Sequence, residues 1–359
     1  MINKILEADK MTLEINQRKT EHIDLCLKEN VEGINKTTGL EGISFIHNAL
    51  PEIDFNDISL ETSFLDKKVK APFLVSSMTG GSELAANINH NLAKAAEDKG
   101  WAIGLGSTRA LLESDSHKES FMIRKSAQTV PLIANLGAVQ LNYGYGVEEV
   151  KQIIERTGAD SLVLHLNSLQ EVIQDGGDLN FKDLLPKIEK ICREIDQPIG
   201  VKEVGFGIDG HVAKQLTDVG IAYVDVAGAG GTSWSQVEKL RSQDPLRKAA
   251  AEAFNSWGLP TKDCIVSVNK HIQGIPVVAS GGMKTGLDAA KAITIGADMI
   301  GFARQLLQAA TESVEAVKLA MDQIELELKI AMFGIGVKNI DELQNTRRIS
   351  VMGRSLLDE

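Results

Sequence analysis

The chain repeats one pattern from about residue 71 onward: a short apolar run, a glycine-rich or polar turn, and then an amphipathic stretch. Short apolar runs bounded by turn signals are typical of strands that are buried in a parallel sheet. The pattern therefore predicts eight strands. The runs occupy residues 71–78, 101–105, 131–136, 161–166, 198–204, 222–227, 275–280 and 299–303.

Amphipathic stretches between these runs predict helices, and a glycine follows several of them, as expected at helix C-termini. The predicted helices cover residues 82–98, 147–156, 181–194, 210–218, 286–295 and 306–329, and the glycines are Gly100, Gly158, Gly220 and Gly296. Alternating strands and helices imply parallel pairing, and eight such units predict an α/β fold, a closed (β/α)8 TIM barrel over residues 66–330. An open, doubly wound sheet is less favoured, because no strand is followed by a GxGxxG turn that opens a helix.

Two regions flank the predicted barrel. Residues 1–65 form an N-terminal arm and extension that we expect to contribute to the active site, and residues 331–359 form a helical tail that packs on the barrel or on a neighbouring subunit. The connection over residues 233–270 is unusually long, and connections of that length are usually functional or interfacial.

Composition narrows the class of protein. The formal net charge of -11 over 359 residues argues against a nucleic-acid partner, so an anionic substrate would need a local basic site. Three cysteines in no metal-ligand spacing suggest a reducing compartment without disulfides. No apolar run approaches the roughly 18 residues of a membrane span, and the N-terminus lacks a signal-peptide core. We expect a soluble cytoplasmic protein with no membrane partner.

A polar cluster ends the predicted fourth strand. Side chains alternate along a strand, so Val163, His165 and Asn167 share one face. Gln170 and Glu171 follow where a loop is predicted to begin. Because α/β proteins keep their chemistry at the carboxyl ends of strands, we predict that this cluster belongs to the active site.

A second candidate site lies after the seventh and eighth strands, where barrels often bind phosphate. The seventh strand runs into Gly281 and Gly282, and the eighth ends at Ala303 and Arg304. Glycine lets backbone amides approach an anion, and a helix N-terminus adds a favourable dipole. We favour a phosphate site over the alternative that these glycines only permit tight turns. Arg304 either contacts the phosphate or simply begins the last helix.

The remaining strand ends carry hydroxyl and amide side chains with few acids or bases, which suits a large heteroaromatic cofactor such as flavin mononucleotide (FMN). Lys202 stands out, because an isolated buried charge is costly and must be paired or functional. We favour a Lys202 that faces the barrel mouth and holds negative charge on a reduced flavin; the alternative is an interior salt bridge, for instance to Asp225. Glu203 then faces the helices, and its partner is not identified.

Eight sequence blocks resemble the type 2, FMN-dependent isopentenyl diphosphate isomerase family. They lie at residues 18–22, 77–81, 104–109, 134–140, 165–171, 201–205, 230–234 and 280–282. The double-glycine blocks are shared with many phosphate-binding barrels, whereas Arg-Lys-Thr-Glu-His at 18–22 and His-Leu-Asn-Ser-Leu-Gln-Glu at 165–171 are much more particular.

The resemblance implies an enzyme that converts isopentenyl diphosphate to dimethylallyl diphosphate in isoprenoid biosynthesis, without net redox change. It implies FMN that is active only when reduced, NADPH as the reductant, Mg2+ on the diphosphate, and a homotetramer or homo-octamer.

Residue roles also follow from the resemblance. FMN contacts are implied at Ser77, Met78, Thr79, Ser107, Asn135, Lys202 and Thr232, and its phosphate end at Gly281, Gly282, Ala303 and Arg304. Substrate contacts are implied at Arg18, Lys19 and His22 of the arm and at Arg109, His165, Asn167 and Gln170. Glu171 matches the Mg2+ ligand. The predicted catalytic residues are Gln170, His165, Asn167 and Lys202.

The chain departs from the family pattern at two places. After Gln174 the family commonly has Pro-Glu-Gly-Asp, whereas this chain has Asp175, Gly176, Gly177 and Asp178. In the last barrel turn Gln305 stands where proline is common. The first departure concerns the predicted lid over the diphosphate, and neither touches the predicted chemistry.

The predicted rim offers few general acids, which favours reduced flavin as the proton carrier, with Gln170 relaying or orienting a proton. The main alternative function is an FMN-dependent barrel oxidoreductase acting on a small anionic substrate. Oxidation of 2-hydroxy acids would need a histidine near the end of the seventh strand, and an IMP dehydrogenase-like reaction would need a cysteine after the sixth; neither is present. A non-catalytic phosphate sensor would have no need of the 165–171 cluster.

Overall fold

Eight parallel strands close into a barrel in the computed structural model, which describes residues 17–114, 118–351 and 354–355. Three short strands precede the barrel, and each of the eight predicted runs coincides with one barrel strand, although the third barrel strand ends one residue after its predicted run. The barrel strands are β4 (Phe73–Val75), β5 (Ala102–Gly104), β6 (Leu132–Gly137), β7 (Ser161–His165), β8 (Ile199–Lys202), β9 (Tyr223–Asp225), β10 (Val277–Ala279) and β11 (Met299–Phe302). The predicted (β/α)8 barrel is confirmed, with β11 pairing with β4 to close the ring.

Alternation along the strands separates two apolar layers. On β7, Val163 packs inside the barrel with residues such as Ile133 and Tyr223, whereas Leu162 and Leu164 pack outward against the helices. Both layers are buried, since Leu162 and Leu164 of the outer layer are 0% exposed and Val163 of the inner layer is 3% exposed. This alternation is what leaves the last inward-facing side chains of each strand at the mouth of the barrel.

Helices surround the barrel largely where the sequence predicts them. They are α1 (17–28), α2 (Glu83–Lys99), α3 (Arg109–Glu113), α4 (Val147–Thr157), α5 (Ser168–Ile173), α6 (Leu184–Glu194), α7 (Gly210–Asp218), α8 (Trp234–Arg241), α9 (Pro245–Glu252), α10 (Thr261–His271), α11 (Gly286–Thr294), α12 (Arg304–Glu312), α13 (Val314–Ile335) and α14 (Ile340–Gln344). Gly100 and Gly158 end α2 and α4 with φ of 70° and 64°, in the left-handed region that favours glycine.

The predicted single helix over residues 306–329 is wrong in one respect, because the structure has two helices there. Ser313 adopts an extended conformation between α12 and α13, and its side chain accepts a hydrogen bond from Ala316 N. A serine that caps the second helix ends the first, since the same residue cannot satisfy both helical geometries.

The extension and the tail are joined by a small antiparallel sheet, in which β1 (Ile43–Phe45) pairs with β12 (Ile349–Val351), which in turn pairs with β13 (Arg354–Ser355). A hairpin of β2 (Thr62–Phe64) and β3 (Lys67–Val69) precedes the barrel, and Phe64 packs edge-on against Tyr223 of the barrel interior at 5.4 Å between centroids. The predicted boundary between residues 330 and 331 falls inside α13.

The parts of the predicted extension before residue 17, and of the predicted tail at 352–353 and 356–359, lie outside the described residues. Within the described ranges, no helix combines the length and the apolar character needed to cross a membrane.

Candidate active site

A cavity of about 940 Å3 opens at the carboxyl ends of the barrel strands, and every predicted site residue lines it. The lining brings together Arg18, Lys19, His22, Ser77, Met78, Thr79, Ser107, Arg109, Asn135, His165, Asn167, Gln170, Glu171, Lys202, Thr232, Gly281, Gly282, Ala303 and Arg304. Residues from the arm and from all eight strand ends therefore meet at one place.

The cavity is locally basic although the chain as a whole carries a net charge of -11. Among the described residues, its lysines and arginines are Arg18, Lys19, Arg109, Lys202, Arg241, Lys284 and Arg304, and its acids are Glu32, Glu113, Glu171, Asp175 and Asp178. Cations outnumber carboxylates, so the site can attract an anion against the field of the rest of the protein.

One end of the cavity is built from backbone. Gly281 and Gly282 follow β10 with φ of 93° and 77°, a conformation that side chains rarely adopt. A Cβ on Gly281 would overlap the Gly228 carbonyl oxygen, and one on Gly231 would lie 2.5 Å from Gly282 N. The amides of Gly281 and Gly282 meet no hydrogen-bond acceptor within the described ranges, and α12 begins close by. These features fit the phosphate of FMN.

The side chain of Arg304 points away from the phosphate end and contacts the arm. The residue begins α12 beside the phosphate end, but its side chain turns toward the arm, where Nε donates to Cys26 O at 2.9 Å and Nη2 to Glu29 O at 3.1 Å. Nη1 lies 3.4 Å from Glu32 Oε1. The side chain of Arg304 therefore holds the C-terminal part of α1 and the residues that follow it.

The part of the cavity next to the first strands offers unsatisfied polar atoms. Ser76 Oγ and Thr79 Oγ1 are buried and have no hydrogen-bond partner in the described part of the chain. Buried polar atoms without partners are rare and call for a ligand or water. Hydroxyls at this position fit the polar edge of a flavin ring, which is the cofactor that the sequence predicts.

Lys202 faces the cavity and is buried, with 8% of its surface exposed. Its Nζ donates to Glu203 O at 2.6 Å. The alternative salt bridge to Asp225 is not present among the described side chains, and Asp225 instead accepts a hydrogen bond from Ser280 Oγ at 2.6 Å. Burial lowers the pKa of Lys202, while the charges of Asp225 and Glu203 oppose that shift.

Glu203 finds its partner in its own loop. Its Oε2 accepts backbone hydrogen bonds from Val204, Gly205 and Phe206 at 2.6, 2.8 and 2.6 Å. Burial raises the pKa of Glu203 to about 7 in spite of these bonds. The carboxylate thus shapes the turn that leaves β8 rather than facing the cavity.

His165 is the last residue of β7 and is a neutral imidazole. Burial, followed by the charges of Lys202 and Lys19, lowers its pKa to about 3. Its Nδ1 lies 2.8 Å from Asn135 Oδ1, an oxygen that can only accept, so Nδ1 carries the hydrogen. Nε2 is therefore an acceptor, and at neutral pH His165 does not supply a positive charge to the site.

The polar cluster after β7 folds into the short helix α5. The strand ends at His165, and Asn167 precedes the helix instead of extending the strand. Asn167 Nδ2 donates to Glu171 Oε1 at 2.9 Å and to Gln170 Oε1 at 3.3 Å. One amide therefore orients both of the side chains that the sequence assigns to proton handling and to metal binding.

Glu171 presents a single carboxylate to the cavity. Within the described ranges, no group of three or more His, Cys, Asp or Glu side chains could hold a metal ion. One carboxylate is enough for Mg2+ only when phosphate oxygens and waters complete its octahedral shell. The donor set fits a metal that arrives with a diphosphate, and it does not fit a resident structural ion.

Helix α1 carries the predicted substrate residues of the arm into the cavity. Burial, then the charges of Arg18 and Arg109, lowers the pKa of Lys19 to about 8. His22 packs edge-on against Trp234 at 5.0 Å between ring centroids, and its Nε2 lies 3.0 Å from Glu238 Oε1. Only the family resemblance places these residues at the site, because nothing in their spacing or composition predicts that residues so far from the barrel strands line its mouth.

Glu238 is a buried carboxylate beside the cavity that the sequence pattern does not single out. Its side chain is 0% exposed, and it contacts His22, Gln170 Nε2 at 3.2 Å and Arg241 Nη1 at 2.8 Å. Burial raises the pKa of this carboxyl, but its hydrogen bonds and the charges of His22 and Arg241 outweigh that effect and lower it. The available signal was the unusual length of the 233–270 connection, in which Glu238 lies.

The closed barrel, the glycine-lined phosphate end and the basic mouth define an FMN-binding barrel flavoprotein. Residues 141–350 match the family of FMN-dependent dehydrogenases, to which the chain belongs. Solved structures share the fold: a mandelate oxidase has a TM-score of 0.62 at 15% identity, covering 95% of this chain and 98% of that one. A flavocytochrome b2 has a TM-score of 0.63 at 17% identity, covering 90% and 79%.

Sequence relatives identify the branch of this class. The isopentenyl-diphosphate delta-isomerase of Oceanobacillus iheyensis is 73% identical over 345 residues, which cover 96% of this chain and 99% of that protein. The protein of the same name from Nostoc sp. is 46% identical over 333 residues, or 93% and 95% of the two chains. The chain belongs to the type 2, FMN-dependent isopentenyl diphosphate isomerase family, and the resemblance predicted from the sequence blocks is confirmed.

Proposed function

We propose that this protein converts isopentenyl diphosphate into dimethylallyl diphosphate, a transposition of one carbon–carbon double bond without net redox change. The observation that carries the proposal is the 73% identity to an isomerase of that name over nearly the whole of both chains. The locally basic cavity supports a diphosphate substrate, because it reverses the sign of the chain's net charge where the substrate would bind.

FMN, when bound in its reduced form, would supply a proton to one carbon of the alkene and accept one from another. Lys202 would place a positive charge beside the ring and so favour a reduced, anionic flavin. Gln170 would orient the proton in transit, since its amide is held between Asn167 and Glu238. His165, as a neutral imidazole with Nε2 free to accept, would position the substrate and not act as an acid.

The diphosphate would bind between the arm and α5. Arg18 and Arg109 can form paired hydrogen bonds to phosphate oxygens, and Lys19 adds a compact charge. Glu171 would hold Mg2+ together with the diphosphate oxygens. His22 would orient Glu238, which lies 3.0 Å away.

Two further elements of the proposal rest on the resemblance to the family. NADPH would keep the flavin reduced, and the chain would assemble as a homotetramer or as a homo-octamer. A cytoplasmic location is proposed on a different ground, because three cysteines in no metal-ligand spacing suggest a reducing compartment. The net charge of -11 is consistent with a protein that has no nucleic-acid partner.

The decisive assay incubates isopentenyl diphosphate with FMN, NADPH and Mg2+ and omits each in turn. We expect dimethylallyl diphosphate to form only when FMN and its reductant are present, with far less NADPH consumed than product formed. Oxidation of NADPH in proportion to product would instead favour the alternative FMN-dependent oxidoreductase.

The role of flavin as proton carrier has its own test. The enzyme is reconstituted with 5-deazaflavin mononucleotide, and exchange of substrate hydrogens with deuterated solvent is followed by NMR. We expect exchange to stop, and exchange at the rate of the native holoenzyme would contradict a flavin-borne proton.

A further inference from the structure

Asp178 joins two parts of the site that bind different ligands. Its backbone amide donates to Glu171 Oε2 at 2.7 Å, and its carboxylate oxygen Oδ2 accepts from Arg109 Nη1 at 2.8 Å. Gln140 Nε2 donates to the same Oδ2, also at 2.8 Å. A single residue therefore touches both the proposed magnesium ligand and a proposed diphosphate contact.

We infer that Asp178 is a positioning residue that fixes Glu171 and Arg109 relative to each other, so that Mg2+ and the diphosphate bind as one unit. This inference rests on the proposed function. Asp178 belongs to the segment 175–178, where the chain departs from the common family pattern while keeping the final Gly-Asp pair.

The backbone around Asp178 is packed tightly against Glu171. A Cβ on Gly177 would overlap the Glu171 carbonyl oxygen and would lie 2.9 Å from Glu171 Oε2. Only glycine lets the chain approach the carboxylate this closely. The hydrogen bond from the Asp178 amide to Glu171 thus depends on the close packing of Gly177 against Glu171.

The chain that follows Asp178 is anchored to the turn after β6. Tyr143 OH accepts from the amides of Leu179 and Asn180, both at 3.1 Å, and Asn142 Nδ2 donates to Asn180 O at 2.7 Å. With Gln140 on Asp178 itself, one short turn fixes the whole segment. Asp178 is therefore fixed by residues of this turn, and it can in turn fix Glu171 and Arg109.

Arg109 is gripped on its other side by Glu113, whose Oε1 accepts from Arg109 Nε at 2.6 Å and from Tyr145 OH at 2.9 Å. Burial would lower the pKa of Arg109, but its hydrogen bond to Glu113 and the charges of Glu113 and Asp178 outweigh burial and raise it. A guanidinium held at two edges has few orientations left, so less entropy is lost when it meets a diphosphate.

The coupling follows from how the metal is bound. Mg2+ with one protein carboxylate must share the oxygens of the diphosphate, and Arg109 would bind that same diphosphate. If Asp178 fixes the distance between Glu171 and Arg109, its loss weakens both ligands together. Partners that orient a metal ligand typically change metal affinity by about 10- to 100-fold.

The test compares the D178N and wild-type holoenzymes, both carrying oxidised FMN, so that isopentenyl diphosphate binds but is not converted. Isothermal titration calorimetry measures the Kd of Mg2+ at fixed isopentenyl diphosphate, and the Kd of isopentenyl diphosphate at saturating Mg2+. We expect D178N to raise both constants about tenfold. The backbone amide of residue 178 still donates to Glu171, but the side chain no longer offers Arg109 a charged partner. Arg109 then holds the diphosphate less well, and the binding of the Mg2+ that shares its oxygens is weakened with it. With reduced enzyme, KM should rise by a similar factor and kcat should change less than about threefold.

The matched control is D183N, which removes a carboxylate from the same connection at an exposed residue; its constants should equal those of the wild type. The milder variant Q140M removes one donor to Asp178 and keeps every charge. We expect it to raise both constants by a smaller factor, and it serves if D178N does not fold.

Three results would overturn the inference: wild-type constants in D178N, weaker diphosphate binding with unchanged Mg2+ binding, or tighter diphosphate binding because Asp178 merely competes for Arg109. A wild-type enzyme that forms no dimethylallyl diphosphate would refute the proposed function itself, which is a separate outcome.

Discussion

Lys19 makes the charge of the arm sensitive to pH just above neutrality. Its ammonium lies on α1 in the cavity, and burial together with Arg18 and Arg109 lowers its pKa from 10.5 to about 8. Arginine at the same position would stay charged, because a guanidinium does not lose its proton in proteins. The variant Lys19→Arg therefore separates the charge of this residue from its titration.

The size of the effect follows from the pKa. A lysine with a pKa of about 8 is half charged at pH 8, roughly one-eleventh charged at pH 9 and roughly one-hundredth charged at pH 10. If only the charged form binds the diphosphate productively, kcat/KM falls about fivefold from pH 8 to 9 and about tenfold from pH 9 to 10. Bound diphosphate stabilises the ammonium, so kcat should hold to higher pH.

The assay measures kcat/KM and kcat for isopentenyl diphosphate from pH 7 to 10 at saturating FMN and Mg2+. We expect an alkaline fall in kcat/KM for the wild type and a flat profile for Lys19→Arg over the same range. An identical alkaline fall in both enzymes would refute the assignment of that titration to Lys19.

The same shift has the opposite sign for stability. Between about pH 8 and pH 10.5 the unfolded chain keeps the Lys19 proton that the folded chain has released. The unfolded state then binds more protons, so this residue's contribution to the free energy of unfolding rises with pH. Substrate affinity and stability should therefore move in opposite directions across this window, as measured by urea unfolding.

Three other changes test separate parts of the site. Gly281→Ala should abolish FMN retention and lower Tm, because its Cβ would overlap Gly228 O; Gly144→Ala, with a similar φ of 92° and open space around it, should keep FMN and cost only about 1 to 2 kcal/mol. Folded His165 resists protonation down to about pH 3, so the wild-type free energy of unfolding falls as the pH drops below 6.5. His165→Gln should reduce this dependence of the free energy of unfolding on pH. Equal slopes for the two proteins in urea titrations would contradict this. Glu171→Gln should raise the Kd of Mg2+ at fixed isopentenyl diphosphate at least about tenfold, and an unchanged Mg2+ titration would refute the ligand assignment.

The barrel was predictable because each strand carries its own local signal. The run before His165, for example, is apolar on both faces, and only its last inward residues are polar. The break at Ser313 was not predictable in the same way, since a serine is tolerated within a helix and only its extended backbone makes it a cap. The periodicity of apolar residues predicts which face of a helix or strand is buried, but it does not predict where one helix ends and the next begins.

The site was predictable only where its residues form short blocks. His165, Gln170 and Glu171 lie within seven positions, so their shared location is visible in the sequence. Glu238 lies in an ordinary charged helix, and its importance comes from contacts with His22 and Gln170, which are far away along the chain. Burial of such a carboxylate is a property of the assembled structure.

The pairing of β1 with β12 has a consequence for how the enzyme is made. Ile43 lies opposite Val351, so the strand β1 has its partner far along the chain, beyond all eight barrel strands. The arm precedes the barrel strands, but its attachments to Arg304 and to this sheet come from residues that follow all of them. We expect the arm, which is proposed to bind the substrate, to dock after the barrel strands have formed, so that a chain interrupted before β12 cannot present a complete active site.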